Sequence, residues 1–96
     1  MNQENSKLEI YWEMNKVFTD KAWKDYIYWF ETDKKQLNKI NDLIKEIERT
    51  PFEGIGKPEP LKQNLKGYWS RRIDHKHRII YKVETGHIVF IAFRFH

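Results

Sequence analysis

A chain of 96 residues with no cysteine and four tryptophans has room for one domain and a single core; it excludes a disulfide framework, a thiolate metal centre and a nucleotide-binding fold with its crossovers. Its net charge of +4 is unevenly spread: residues 1–50 hold nine Lys/Arg against ten Asp/Glu, and residues 51–96 hold nine against four. A basic second half suits a polyanion as well as it suits a plain solvated surface. No segment approaches the ~20 apolar residues of a membrane span and the amino terminus lacks a basic region followed by an apolar core, so a soluble, cytoplasmic protein with no membrane partner is expected.

In chain order, residues 1–14 read as an extension, disordered or adding an edge strand, and the fold core as about 15–96. A short edge strand is expected around Lys16 to Thr19. Thr19 is placed as the N-cap of a helix from about Asp20 to Glu31, with Trp23, Tyr26, Ile27 and Phe30 at helical spacing. A second helix follows Thr32, its stripe formed by Leu37, Ile40, Ile44 and Ile47 with Leu43 beside it, and it stops near Thr50 ahead of Pro51. Pro51 to Gly67 carries three Pro and three Gly, an ordered but irregular connection of a length that is often functional.

The period then changes. Tyr68 to Asp74 and His77 to Val83 read as strands about the polar turn Asp74-His75-Lys76-His77, and Glu84-Thr85-Gly86 turns the chain into a last strand, Ile88 to Phe95. That strand is apolar on both faces until Arg94 and is expected to be buried along most of its length. The fold class is therefore α+β, a single domain in which two helices pack on one face of a twisted antiparallel sheet.

Within this frame Glu59, Arg78 and His96 supply a carboxylate, a guanidinium and an imidazole. RNA is cut without metal when a base takes the ribose 2′-OH proton, a cation stabilises the phosphate and an acid protonates the leaving 5′ oxygen. Glu59 lies between Pro58 and Pro60, whose fixed φ restrains the carboxylate, although an isolated loop glutamate is more often only exposed. Arg72 and Arg78 share a sheet face if an odd-length loop joins their strands, making either a phosphate clamp or a charged surface balanced by Asp74. Arg71, adjacent to Arg72, points with Trp69 and Ile73 to the other face, so one arginine of the pair faces the core or a partner. A terminal imidazole such as His96 is a weak signal alone, and its own carboxylate raises its pKa toward the protonated form an acid needs. His75, His77 and His87 lack metal-ligand spacing and suit structural roles; no metal or other cofactor is expected. Tyr68, Trp69 and Tyr81 sit at strand positions that favour core packing over base stacking.

Several motifs occur together: W-x-D-Y-x-Y-W at Trp23 to Trp29, E-T-D-K at Glu31 to Lys34, T-P-F-E-G-x-G-K-P-E-P-L-K at Thr50 to Lys62, W-S-R-R-I at Trp69 to Ile73 and H-R-x-x-Y at His77 to Tyr81. With them the chain, from about Lys16 to His96, resembles the YoeB toxins, part of the RelE/ParE superfamily of bacterial type II toxin-antitoxin systems. The resemblance implies a RelE-like, microbial-ribonuclease-like fold and an endoribonuclease that cleaves mRNA in the ribosomal A site and stops translation. It assigns Glu59 as general base, Arg78 as phosphate-stabilising arginine and His96 as general acid, with Lys62 and Arg72 as further substrate contacts. It implies products ending in a 2′,3′-cyclic phosphate or 3′-phosphate. A YefM-type antitoxin is the implied partner, covering the site and linking the toxin indirectly to operator DNA, and a homodimer is a further implied assembly. Family members commonly end in His-Tyr, whereas this sequence ends at His96, so reduced activity is one expectation. The rival reading is a non-catalytic member that acts only by binding its antitoxin, or a gyrase inhibitor, which would have no use for Glu59 with Arg78. A sequence-specific DNA-binding role fits poorly, since the basic residues lie on loop and strands rather than on a recognition helix.

Overall fold

Two amphipathic helices and four of the five strands follow one another in the order the sequence patterns suggest; the fifth, at Glu59–Pro60, lies in the connection read as irregular. The structure, a computed structural model, describes residues 14–95, so His96 and nearly all of the amino-terminal extension lie outside it. Strand β1 (Asn15–Phe18) leads into helices α1 (Asp20–Thr32) and α2 (Lys34–Arg49); β2 (Glu59–Pro60), β3 (Trp69–Arg72), β4 (Arg78–Glu84) and β5 (His87–Ala92) complete the chain. The sheet order is β1-β5-β4-β3-β2. The β2–β3, β3–β4 and β4–β5 pairs are antiparallel, while β1 runs parallel to β5, so the sheet expected to be antiparallel is mixed at one edge. The two helices between β1 and the rest of the sheet form the long connection that parallel pairing requires.

Both helix starts are capped. Thr19 accepts from Ala22 N–H at 3.1 Å, and Asp33 accepts from Gln36 N–H at 3.1 Å, satisfying amides that have no partner within the helix. The stripe read on α2 is the buried one: Ile40, Leu43, Ile44 and Ile47 are in the core, with Leu37 packed against it. On α1 the expected stripe is rotated. Ala22, Asp25 and Trp29 are buried, whereas Trp23 and Phe30 are 54% and 44% exposed. The reason lies in Asp25, a polar residue that the apolar periodicity passed over and whose carboxylate has a backbone partner in the core.

The core closes between the helices and one face of the sheet, with Ile79, Tyr81, Ile88, Phe90 and Phe93 fully buried. Phe18 makes edge or tilted contacts with Trp23, Tyr26, Phe90 and Phe93, joining β1 to both layers. Aromatic packing thus does here what disulfides do in other small domains. The strands read as Tyr68 to Asp74 and His77 to Val83 are Trp69–Arg72 and Arg78–Glu84, and two larger differences bear on the site. Glu59 belongs to a two-residue strand rather than to an irregular loop, and the last strand ends at Ala92, three residues before Phe95. An extra residue, Ile91, breaks the β4–β5 register between Ile80 and Tyr81, and the Thr19 hydroxyl donates to the Ile91 carbonyl at 3.1 Å.

Candidate active site

Register places the candidate residues. Glu59 pairs with Ser70, Ser70 with Ile80 and Ile80 with Ala92, so these four share one face across the sheet. Arg72 lies two residues beyond Ser70 on β3 and faces the same way, directly opposite Arg78 on β4. The five-residue connection, Ile73 to His77, is the odd-length loop that a shared face requires. Residues of opposite parity, Trp69, Arg71, Ile79 and Tyr81, point to the helices. Glu59, Arg72 and Arg78 therefore stand on the face away from the helices. Strand spacings put the Glu59 and Arg78 α-carbons roughly 12 Å apart, a span that these long side chains can close around a phosphodiester.

Glu59 is exposed, and Arg72 and Arg78 are half-buried. Neither arginine forms an ion pair among the described residues, and Arg72 Nε is enclosed without a hydrogen-bond partner there. Like charges directly opposite on a sheet repel, and an enclosed guanidinium N–H without an acceptor is costly, so a bound anion would relieve both. Asp74 does not neutralise them. It accepts from the Lys76 and His77 amides at 2.8 and 2.7 Å and from Gln36 at 2.7 Å, holding the β3–β4 turn. Burial opposes the charge on Asp74, yet those hydrogen bonds and nearby His77 outweigh it and bring its pKa down to about 2. Lys62 is exposed and lies beyond the end of β2, just ahead of the short 3-10 turn Gln63–Leu65; no register pairing ties it to the shared face.

The connection carrying Glu59 is anchored from beneath by Arg71. This guanidinium is fully buried, and its Nη2 donates to the Thr50 and Glu53 carbonyls at 2.7 and 2.9 Å. Tyr81, also fully buried, donates its hydroxyl to the Pro51 carbonyl. Gly56 closes against the same side chain: at φ +87°, a β-carbon there would meet Arg71 Cγ at 2.6 Å and the Arg72 carbonyl at 2.9 Å. The Gly56 carbonyl in turn accepts from Arg72 N–H at 2.6 Å, which runs the loop alongside β3 up to Glu59. The P-F-E-G-x-G stretch is thus the fitted cover of a buried arginine. Sequence parity had turned Arg71 away from Arg72 without saying what it would bind.

The amino-terminal motif supports the other side of the site. Asp25 accepts from Phe93 N–H at 3.0 Å and Trp29 Nε1 donates to the Phe93 carbonyl at 2.9 Å. His77 Nδ1 accepts from Phe95 N–H at 2.9 Å, while Arg78 N–H donates to the Phe95 carbonyl at 2.9 Å. Arg94 lies over the Tyr28 ring at 3.6 Å from its centroid. Asp25, Tyr28 and Trp29 all come from W-x-D-Y-x-Y-W, whose spacing signals one helix face but whose partners lie more than 60 residues away.

With this geometry in view, the family model described as the YoeB-like toxin of bacterial type II toxin-antitoxin systems matches residues 18–96. The chain belongs to that family. Toxin YoeB of Escherichia coli K12 is 53% identical over 83 residues, 86% of this chain and 99% of that one. The YoeB dimer of Staphylococcus aureus superposes with a TM-score of 0.82 at 48% identity, covering 88% of this chain and 98% of the other. The heterotetrameric YoeB-YefM toxin-antitoxin complex from the same organism gives 0.81 at 49% identity, over 86% and 97%. The two helices on a mostly antiparallel sheet are therefore the YoeB arrangement, and the chain is a toxin of a type II toxin-antitoxin system.

Proposed function

We propose that this toxin is a ribosome-dependent mRNA endoribonuclease that works by acid/base chemistry without metal. Glu59 takes the proton from the ribose 2′-OH, and the freed oxygen attacks the adjacent phosphorus. Arg78, aided by Arg72 and Lys62, stabilises charge on the non-bridging oxygens as it grows. His96 gives its proton to the departing 5′ oxygen as the P–O5′ bond breaks, leaving a 2′,3′-cyclic phosphate and a 5′-hydroxyl. The cyclic ester opens to a 3′-phosphate when water attacks it with the proton roles reversed.

The observation that carries this reading is the placement of Glu59, Arg72 and Arg78 on the sheet face away from the helices, with both arginines lacking a carboxylate partner among the described residues. A module that only binds protein has no need for two opposed guanidiniums beside a carboxylate. His96 follows directly on Phe95 in the sequence, and the Phe95 carbonyl accepts from Arg78 N–H. We assign the toxin a cytoplasmic place of action on ribosomes. A YefM-type antitoxin is its partner, as in the Staphylococcus aureus complex, and it links the toxin to operator DNA; a homodimer, as in that organism's YoeB, is its second assembly. No helix among the described residues is long and apolar enough to cross a membrane.

The test is a toeprint of a defined mRNA on programmed ribosomes, comparing the chain with Glu59→Gln, Arg78→Ala and His96→Ala. Cleavage in the A site is expected, falling on the order of 10²- to 10⁴-fold in Glu59→Gln and comparably in the other two. Full cleavage by all three variants would overturn the assignment. No cleavage by the parent chain, with antitoxin binding intact, would favour the non-catalytic reading. Extending the chain by Tyr after His96 tests whether a further residue raises the rate.

A further inference from the structure

The segment after β5 leaves the sheet, yet every backbone polar group of Phe93 and Phe95 has a partner from elsewhere in the fold. Phe93 is bonded to Asp25 and Trp29 of α1, and Phe95 to His77 and Arg78. Phe95 has φ +59°, a left-handed conformation that a β-carbon disfavours. Its ring is 45% exposed, so burial does little to hold it there. The ring meets the His77 ring at 5.1 Å between centroids and the Lys76 and Arg94 cations, and the backbone is held by two hydrogen bonds, of which only one depends on a group that titrates near neutrality.

We propose that His77 is a positioning residue for the carboxyl-terminal end of the site: its unprotonated Nδ1, by accepting from Phe95 N–H, keeps the segment against Arg78, and protonation releases it. An amide donor at 2.9 Å requires a lone pair on Nδ1, so the proton of the neutral ring sits on Nε2. In the imidazolium both nitrogens are donors, and the Phe95 amide then faces an N–H. The ring is otherwise fixed, being buried and edge-on to Trp29 with centroids 4.9 Å apart. Its charged neighbours come from every side: Asp25 on α1, Asp74 and Lys76 in the turn, and Arg94 in the terminal segment. Burial foremost holds its pKa below the ordinary 6.5, with Lys76 and Arg94 in the same direction and Asp74 and Asp25 opposing. The released state therefore belongs to acid conditions, and at neutral pH the segment is held.

His77 contributes through residue placement and touches no substrate. Its consequence for cleavage rests on the ribonuclease reading, since the residue placed is the one before His96; its hold on Phe95 does not. Two variants separate the cases. His77→Phe keeps a ring against Trp29 and removes the acceptor, while His77→Asn places an amide oxygen near the Nδ1 position and cannot titrate.

The experiment is amide hydrogen exchange at Phe95, read by NMR across pH 5–8 on the full chain, with A-site cleavage measured on the same samples. In the parent chain, Phe95 protection, corrected for intrinsic exchange, is expected to fall on the order of tenfold on the acid side, while core amides such as Ile79 stay protected. In His77→Phe the low protection is expected at every pH, and His77→Asn recovers most of it with no acid step. Cleavage follows the same order. Phe95 protection that is indifferent to pH in the parent chain and to both substitutions would overturn the proposal. If His77→Phe does not fold, the parent titration and His77→Asn still decide. Loss of protection without any cleavage by the parent chain would leave the positioning role standing and remove the ribonuclease reading.

Discussion

Adjacent arginines with opposite fates show how much a single residue step decides in a strand. Arg72 faces the open side opposite Arg78, and Arg71, one residue earlier, is wholly inside. A buried guanidinium is tolerated where carbonyls receive it, and the two carbonyls here belong to the loop leading to Glu59. Arg71 Nε and Nη1 have no partner among the described residues, so the two bonds from Nη2 are its compensation. Arg71→Lys keeps the charge but cannot reproduce a planar donor reaching both carbonyls. We expect a loss of about 2 kcal/mol in urea unfolding, together with weaker cleavage because the Glu59 loop is loosened. Unchanged stability would mean that the loop is held by Tyr81 and Gly56 instead. Parity put the two arginines on opposite faces without saying which is inward. The acceptors of Arg71 could not be read, because no local pattern says which carbonyls of a distant loop remain unpaired.

At the level of elements, Thr19 ties three of them with one side chain. Its hydroxyl oxygen caps α1 by accepting from Ala22, and its hydrogen goes to the Ile91 carbonyl at the β5 bulge, while β1 ends immediately before it. Thr19→Ala is expected to cost about 1–2 kcal/mol, and Thr19→Ser, which keeps the hydroxyl, well under half of that, both measured by urea denaturation. An equal loss in the two variants would assign the effect to the methyl group and its packing. The cap was legible from Thr19 standing just ahead of the helical spacing. The bond to Ile91 was not, since the bulge arises only when β5 is registered against β4. The same limit explains α1: apolar spacing chose Trp23 and Phe30, but the true face includes Asp25, which is inside because the Phe93 amide needs an acceptor.

Across the whole molecule, acid should weaken the fold in two steps. His77 has a depressed pKa in the folded chain, so the unfolded chain binds the proton more readily. Its contribution to stability is complete above about 6.5 and is lost as the pH falls below that value. Asp74, at about 2 when folded against 3.8 ordinarily, contributes fully above 3.8 and loses that contribution as the pH falls toward 2. Urea midpoints measured from pH 8 to pH 3 are expected to decline first below neutrality and again under pH 4. His77→Asn should abolish the first decline and leave the second. A midpoint that is flat between pH 7 and pH 5 would remove His77 from the account. Both groups flank the β3–β4 turn, so acid acts on the end of the sheet that holds Arg78 and the terminal segment.

The sequence by itself determined the α+β class, both helices and the irregular link ahead of a three-strand meander, and it left the shared face of Arg72 and Arg78 to the loop length that the register fixes. Each of these depends on local periodicity, capping or strand parity, which act over a few residues. Tertiary structure alone decided the parallel pairing of β1 with β5, the strand under Glu59, the early end of β5 and the tethering of Phe93 to Phe95 by Asp25, Trp29 and His77. Those depend on hydrogen-bond partners remote in sequence, and a backbone group finds its partner only after the core has brought the elements together. The motifs carried the names of the residues involved; packing assigned each to core, anchor or open face.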